Sequence, residues 1–370
     1  MLNKLKRKIL LFLGNPQIAG FNPRQAKSFL IFPAGALGDA LVVTPLIRDL
    51  RKKYPFAKIY VMTRKRNADI FRENPFITAC IDYKIRSFIK LRNQIDVFAD
   101  FNIFIRIKSF ILYRILNPKY FITHYKEPVL GLTEKDFSVY KNYVCPSLRI
   151  HTLEIYISYF KEFGVEYDGK GYDLQIGQRY LQNAEAFWKK NKIRIIFNIF
   201  GSYLLLDEAL SGAVIKDICA RYDGKIDIAL LWQKDTKDLV LPLLSSDKDC
   251  LSRNCRLTLE TNVKQLFALI KTADLVISID TGVVHIAGAF NKNQVSFFSP
   301  SKSVEWAPLG KNTRIALCSS RLAGKKSVYS FDCKEAFDKI DSAIGEMQAF
   351  DKILPAISEI ATEKDNVIYI

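Results

Sequence analysis

The chain has no CxxC pair, no apolar run near the ~18 residues that span a bilayer, and no acidic residue among its first 27. Each absence excludes something. Seven cysteines are scattered (Cys80, Cys145, Cys219, Cys250, Cys255, Cys318 and Cys333), an odd number without metal-ligand spacing. Cys250 and Cys255 are the nearest pair and no histidine lies beside them, so reduced, separate thiols are favoured over a disulfide framework or a zinc site. A secretory leader is not expected, because Ile9–Leu13 is too short for an apolar leader core and no small-residue cleavage site follows it. Zinc-finger spacing, an aromatic ribonucleoprotein signature and a clear helix-turn-helix are all missing, so no nucleic-acid partner is expected. Short-period repeats and low-complexity tracts are missing too.

What is present is a chain of 370 residues, 49% hydrophobic, long enough for two ordinary cores. Its formal charge is +17, from 55 Lys and Arg against 38 Asp and Glu. Such an excess favours an anionic partner: nucleic acid, phospholipid or an acidic glycan. The excess is uneven. Residues 1–27 carry Lys4, Lys6, Arg7, Lys8, Arg24 and Lys27 unopposed. A second basic stretch runs from Lys84 to Lys126, with Phe104, Ile107, Phe110, Ile111 and Ile115 interleaved at near-helical spacing. That mixture suits contact with anionic lipid headgroups, or equally a solvated basic face over a buried stripe.

Strand and helix signals alternate, which predicts right-handed βαβ units on parallel sheets. Ser28–Phe32 reads as a strand, followed by a turn with Gly35 and Gly38 and a helix from about Asp39 to Lys53. Pro45 predicts a kink or a later start within that helix. Ala57–Met62, Ile77–Ile81 and Asp96–Ala99 read as further strands, and Leu153–Phe163 as a helix stopped by Gly164. The glycine-rich segment 164–180 is the expected linker. A second series starts with the strand Ile193–Asn198. It continues through helices near Asp207–Arg221 and Val263–Lys271, the strand Lys225–Leu231, and the strand at Ala273–Ile279. The expected division is 1–170, 171–333, and a helical tail, 334–370, packing back on the first domain.

Two turns carry chemistry. Asp280-Thr281-Gly282-Val283-Val284-His285 joins the strand at 273–279 to a short helix. A tight strand-to-helix turn of this kind gathers backbone N–H groups and a helix dipole at one point, which attracts phosphate. In the first half, Asp39 begins a helix at a strand's carboxyl end, where a carboxylate serves either as an N-cap or as a general base. His285 reads either as a donor-site residue or as a packing histidine. Asp235 follows a strand and reads either as a ribose partner or as a surface acid. Arg64, Lys65 and Arg66 follow the second strand and are candidate ligands for phosphate or carboxylate on an acceptor, against the alternative of a solvated turn. His124 and His151 receive no role.

Gly35-x-Leu37-Gly38-Asp39-x5-Pro45, Leu50-Arg51-x-x-Tyr54-Pro55 and Asn74-Pro75 resemble the opening of glycosyltransferase family 9, the heptosyltransferases. Asp280-Thr281-Gly282-x-x-His285-x-Ala287-x-Ala289, Phe298-x-Pro300 and Trp306-x-Pro308 resemble its C-terminal signature, in the expected order. The resemblance implies a GT-B fold of the α/β class: two Rossmann-like domains whose parallel sheets face a central cleft. It implies an inverting, metal-independent transfer of a sugar, heptose from ADP-heptose above others, onto a lipopolysaccharide core or related anionic glycan. By the same carry-over Asp39 is the catalytic base and Gly38 lies on the acceptor side. Gly201, Ser202, Asp280, Thr281, Gly282 and His285 form the donor site. The nucleotide sugar is a co-substrate, and no cofactor is expected. The implied location is cytoplasmic, peripheral on the inner face of the inner membrane, against an anionic membrane surface.

One segment departs from the family pattern. A small-residue turn after the first strand of the second domain is usually followed by Lys or Arg that meets the phosphates; here Leu204, Leu205 and Leu206 stand there. Three readings stay open: a cation from elsewhere, another nucleotide sugar, or a catalytically silent glycan- or membrane-binding homologue.

Overall fold

The computed structural model describes residues 2–15, 20–65, 67–123, 126–140, 150–201, 203–234, 236–244, 253–258, 262–323 and 326–348. These divide into two units. One comprises Met1–Gln178 with Val304–Leu309, the other Arg179–Ser303 with Gly310–Ile370.

In the N-terminal unit, α1 (Leu2–Gly14) precedes β1 (Ser28–Phe32). Then follow α2 (Leu37–Val42), α3 (Thr44–Lys53), β2 (Lys58–Thr63), α4 (Ala68–Phe71) and β3 (Ala79–Asp82). The unit continues with α5 (Ile85–Lys90), β4 (Val97–Asp100), α6 (Ile107–Leu116), β5 (Tyr120–Thr123) and α7 (Thr152–Ser158). The strand order is β3-β2-β1-β4-β5, with every pairing parallel. All five residues of β1 are buried, as a parallel strand covered on both faces requires. The expected helix at 39–53 is two helices. Pro45, which has no N–H to give, occupies the first turn of α3, where none is needed. Leu41, Leu46, Ile47 and Leu50 are buried there as anticipated.

A buried ionic clamp ties α3 to the segment that leaves this unit. Arg48 donates to Asp173 (2.6 Å), to Asp168 (2.8 Å) and to the carbonyls of Lys170 and Gly171 (2.8 Å each). Burial pushes the Asp168 carboxyl up, but Lys52, which also pairs with Asp168, the Lys170 N–H and Arg48 hold it far below its ordinary range, whereas burial dominates at Asp173 and raises it. The residues that follow Trp306 return to the same unit. His151 caps α7 by accepting from the Leu153 N–H at Nδ1, which leaves its Nε2–H for the Ala307 carbonyl at 2.8 Å.

The C-terminal unit contains α8 (Gln178–Phe187), β6 (Ile193–Asn198), β7 (Leu204–Leu206), α9 (Glu208–Arg221) and β8 (Ile226–Leu230). After these come α10 (Lys237–Val240), β9 (Cys255–Leu257), α11 (Val263–Thr272), β10 (Leu275–Ile279), α12 (Gly282–Ala289) and β11 (Asn293–Phe298). The unit closes with α13 (Pro300–Trp306), β12 (Thr313–Leu317), β13 (Ser319–Ala323), β14 (Lys326–Ser330) and a helix, α14, over 333–348. Its main sheet runs β12-β11-β10-β6-β8-β9, again wholly parallel, beside a small β13-β14-β7 sheet. The division falls at Gln178, later than the expected residue 170, because the 164–173 segment is held by Arg48.

Of the 334–370 tail, the part up to residue 348 is described. Helix α14 belongs to the C-terminal unit: it buries Ala336, Ile340, Ala343 and Ile344, and Asp341 pairs with Arg221 at 2.9 Å. The segment that rejoins the N-terminal unit is 304–309. Cys80, Cys219, Cys255, Cys318 and Cys333 are all free, and Cys145 and Cys250 lie outside the described residues. No helix among the described residues is long and apolar enough to cross a membrane.

Candidate active site

Each main sheet reverses its building direction once, and ligands of open α/β sheets bind beyond the strand ends at that reversal. In the N-terminal unit the reversal lies between β1 and β4, in the C-terminal unit between β6 and β10. The two motif-bearing turns follow β1 and β10.

Beyond β1, the turn Pro33–Ala36 leads into α2. Asp39 is the third residue of that helix, half-buried, and its carboxylate accepts from the Ala36 N–H at 2.9 Å. Ala36, not Asp39, is the N-cap residue; from the third helical position the Asp39 carboxylate reaches back to the Ala36 N–H at the strand-tip edge. Gly38 is buried in the same turn of helix. Asn67, not singled out from the sequence, secures the turn by donating from Nδ2 to the carbonyls of Gly35 and Ala36, 3.2 Å each. Its Oδ1 is buried without a hydrogen-bond partner, beside a small hollow lined by Pro33, Gly35, Thr63 and Arg64.

Arg64 reaches this hollow, with Nη1 3.6 Å from where a Cβ on Gly35 would stand. Its guanidinium also lies 5.6 Å from the centre of the Tyr83 ring, as does the Lys108 ammonium. Tyr83 stacks on Phe32 at 4.7 Å, so an aromatic platform collects two cations at the sheet's carboxyl edge. Lys65 is exposed, and Arg66 lies outside the described residues.

The other side of the reversal is a buried ionic knot. Lys126 is 0% exposed, and its Nζ lies 2.9 Å from Asp100 Oδ2 and also donates to the Asn102 carbonyl. Tyr113 donates to the same carboxylate, and the Tyr140 ring stands 5.2 Å from the ammonium. Burial pulls the Lys126 ammonium down while Asp100 opposes it; both phenols are pushed well up, chiefly by burial. The knot fixes the segment after β4 that presents Phe104 and Arg106 at the surface.

In the C-terminal unit the corresponding edge is organised by a neutral amide, beside one carboxylate, Asp280. Asn198 ends β6, fully buried, and its Nδ2 faces the Phe200 carbonyl (3.1 Å), Ser278 Oγ (3.0 Å) and Thr281 Oγ1 (3.4 Å). One amide therefore ties the Phe200-Gly201 turn to the Asp280–Gly282 turn. Thr281 caps α12, its Oγ1 accepting from the Val283 N–H at 3.3 Å. The turns also touch directly: a Cβ on Gly201 would stand 2.7 Å from Thr281 Cγ2, so only glycine fits. Gly201, Thr281 and Gly282, 80 residues apart in sequence, thus share one spot; Ser202 lies outside the described residues.

Asp280 is half-buried at the tip of β10 and, with Lys302 and Ser299, bears on the Tyr329 phenol; burial is the main cause of that phenol's upward shift. Lys302, on α13, is exposed and was not singled out from the sequence. His285 is only 2% exposed within α12. Asp235 lies outside the described residues, as does His124.

The Leu204–Leu206 departure has a structural cause. These residues form β7, parallel to β14, and Leu205 and Leu206 are buried. The Leu206 N–H donates to Ile199 and the Gly201 N–H to Leu204, each at 2.7 Å, folding the segment back on itself. Among the described residues no group of three or more His, Cys, Asp or Glu is arranged to hold a metal ion.

Residues 218–334 match the profile of glycosyltransferase family 9 (heptosyltransferase), the family that the motifs of both halves resemble. Lipopolysaccharide heptosyltransferase 3 of Escherichia coli is 25% identical over 352 residues, covering 86% of this chain and 97% of that protein. Among solved structures, E. coli ADP-heptose lipopolysaccharide heptosyltransferase II superimposes with a TM-score of 0.67 at 13% identity, covering 87% of this chain and 99% of the other. A family 9 glycosyltransferase from Veillonella parvula gives 0.64 at 16% identity, covering 80% and 86%. The fold is therefore GT-B, with two Rossmann-like units on parallel sheets.

Proposed function

We propose that this chain, which carries the glycosyltransferase family 9 signature, is an inverting glycosyltransferase that moves heptose from ADP-heptose onto a lipopolysaccharide core or related anionic glycan. The observation that carries this reading is that the two units bear unlike strand tips. One turn bears a carboxylate, Asp39; the other is a cradle of glycine, threonine and a helix start beside Asp280, suited to a diphosphate. The names of the relatives supply the donor and acceptor class.

In the reaction, Asp39 takes the proton of the acceptor hydroxyl as that oxygen attacks the anomeric carbon. The bond from that carbon to the diphosphate breaks, and the electron pair leaves with the phosphate oxygen. The start of α12 meets the developing charge. Lys302 supplies the cation that Leu204–Leu206 do not, since those leucines serve the β7 pairing. Arg64 and Lys108, gathered on Tyr83, bind anionic groups of the acceptor. The reaction so drawn requires no metal. The protein works at the cytoplasmic face of the inner membrane, where such an acceptor is assembled, and its net charge of +17 supports that location.

Nucleotide release with ADP-heptose and a deacylated core acceptor tests this. Asp39→Asn keeps an oxygen for the Ala36 N–H while removing the base, so kcat should fall by about 10²–10⁴-fold with little change in melting temperature. Lys302→Ala should cost about 10–10³-fold with the same donor. Turnover unchanged in Asp39→Asn overturns the assignment. Absence of turnover in the wild type, with glycan binding retained, establishes the silent homologue instead.

A further inference from the structure

The amino-terminal helix α1 has two apolar faces, and only one of them is used. Leu10 and Gly14 are buried, with Leu11 and Leu13 packed against the same core, where α1 lies on α6. Gly14 is forced by this contact, since a Cβ would stand 2.3 Å from the Phe137 ring. Arg114 completes the docking by donating to the carbonyls of Phe12 (2.7 Å) and Leu13 (3.0 Å). The helix is thus held to the unit at its carboxyl end.

The opposite face carries Leu2, Leu5, Ile9 and Phe12, at spacings of three, four and three, which lie along one stripe of a helix. Leu2 is 65% exposed, Leu5 55% and Phe12 76%. Lys4 and Lys8 flank the stripe, and no acidic residue occurs before residue 28 to neutralise them. The neighbouring helices also expose apolar residues. Ile111 on α6 and Ile85 and Ile89 on α5 are exposed, and α5 packs on α6 as α1 does. Arg86 and Lys90 lie on that same α5.

We infer that the Leu2-Leu5-Ile9-Phe12 face of α1 docks into an anionic lipid bilayer, lying in the interface with its lysines at headgroup level. An outward apolar stripe edged by unopposed cations has the chemistry of such an interface, because apolar side chains leave water while each cation meets a lipid anion. A protein groove would satisfy the stripe and leave the cations unmatched. The inference rests on the membrane location proposed above and names the element responsible. Transfer to a soluble acceptor does not depend on it.

Flotation of the full chain with vesicles of phosphatidylcholine alone, or with added phosphatidylglycerol, is the test. Wild type should bind the anionic vesicles and scarcely the neutral ones. Leu5→Ser with Phe12→Ser should weaken that binding on the order of a hundredfold. Lys4→Gln with Lys8→Gln should weaken it about twenty-five-fold, from about fivefold per cation. Both variants should keep wild-type melting and turnover on deacylated acceptor. If wild type binds and the variants bind equally, α1 is not the docking element although the membrane location stands. Should wild type ignore both vesicle types, the location fails with it. A wild-type dimer that dissociates in the serine variant, without vesicle binding, makes a second copy the occupant and overturns the inference.

Discussion

The two strand-tip edges of this protein are built on the same plan and held together by different chemistry. In each unit an asparagine amide holds a glycine-bearing turn: Asn67 at Gly35-Ala36 and Asn198 at Phe200-Gly201. Around these shared devices the N-terminal edge is ionic, with Asp39, Arg64 and the Asp100–Lys126 knot. The C-terminal edge is held by neutral donors and acceptors from Asn198, Ser278 and Thr281. Under the proposed function the C-terminal turn offers backbone N–H groups to an anion, and the N-terminal turn offers a carboxylate to a proton.

The sharpest way to break this contrast is to delete the central group on each side. Lys126→Met leaves the Asp100 carboxylate buried without its cation, and should cost about 3–5 kcal/mol in denaturant melting. Asn198→Ala leaves neutral groups unsatisfied and should cost only about 1–3 kcal/mol. Equal losses would mean that the ionic knot contributes no more than the neutral one. A Lys126→Met, Asp100→Asn double variant should recover much of the first loss, because the stranded charge is gone.

A smaller effect tests the turn-to-turn contact. Gly201→Ala drives a methyl into Thr281 and should cost about 1–3 kcal/mol, with a raised KM for the sugar nucleotide. Thr281→Ser in the same chain removes the opposing methyl and should restore donor KM in part. No recovery would show that the strain lies elsewhere.

The smallest expected effect concerns pH. Burial lowers the pKa of His151, with the Ala307 hydrogen bond opposing. The unfolded chain therefore binds a proton that the folded one resists, so this residue's contribution is present above about pH 6.5 and is lost as pH falls toward the depressed folded value. His151→Gln should flatten the melting temperature between about pH 7 and 5, relative to wild type. An unchanged acid slope would assign it to other groups.

Strands β1 and β6, each with four apolar residues, were legible in the sequence to the residue, because a parallel core strand is a near-continuous apolar run. Strands β5, β7, β9, β12, β13 and β14 were not. Leu204–Leu206 read as a damaged phosphate turn because three leucines carry no period, and only the β14 partner makes them a strand. Lys126 was one cation in a basic stretch until the fold enclosed it with Asp100.

By itself, the sequence determined the alternation of elements, the two turns that carry Asp39 and Thr281, and the unopposed positive charge of the amino terminus. All of these are set by neighbours along the chain: the backbone freedom of glycine, the missing N–H of proline, the period of apolar side chains. Tertiary structure alone decided that Gly201 meets Thr281, that Asn67 and Asn198 hold the turns, that His285 is buried, and which face of α1 stays bare. Those outcomes depend on contacts between residues tens of positions apart, where shape and burial act and local pattern carries no information.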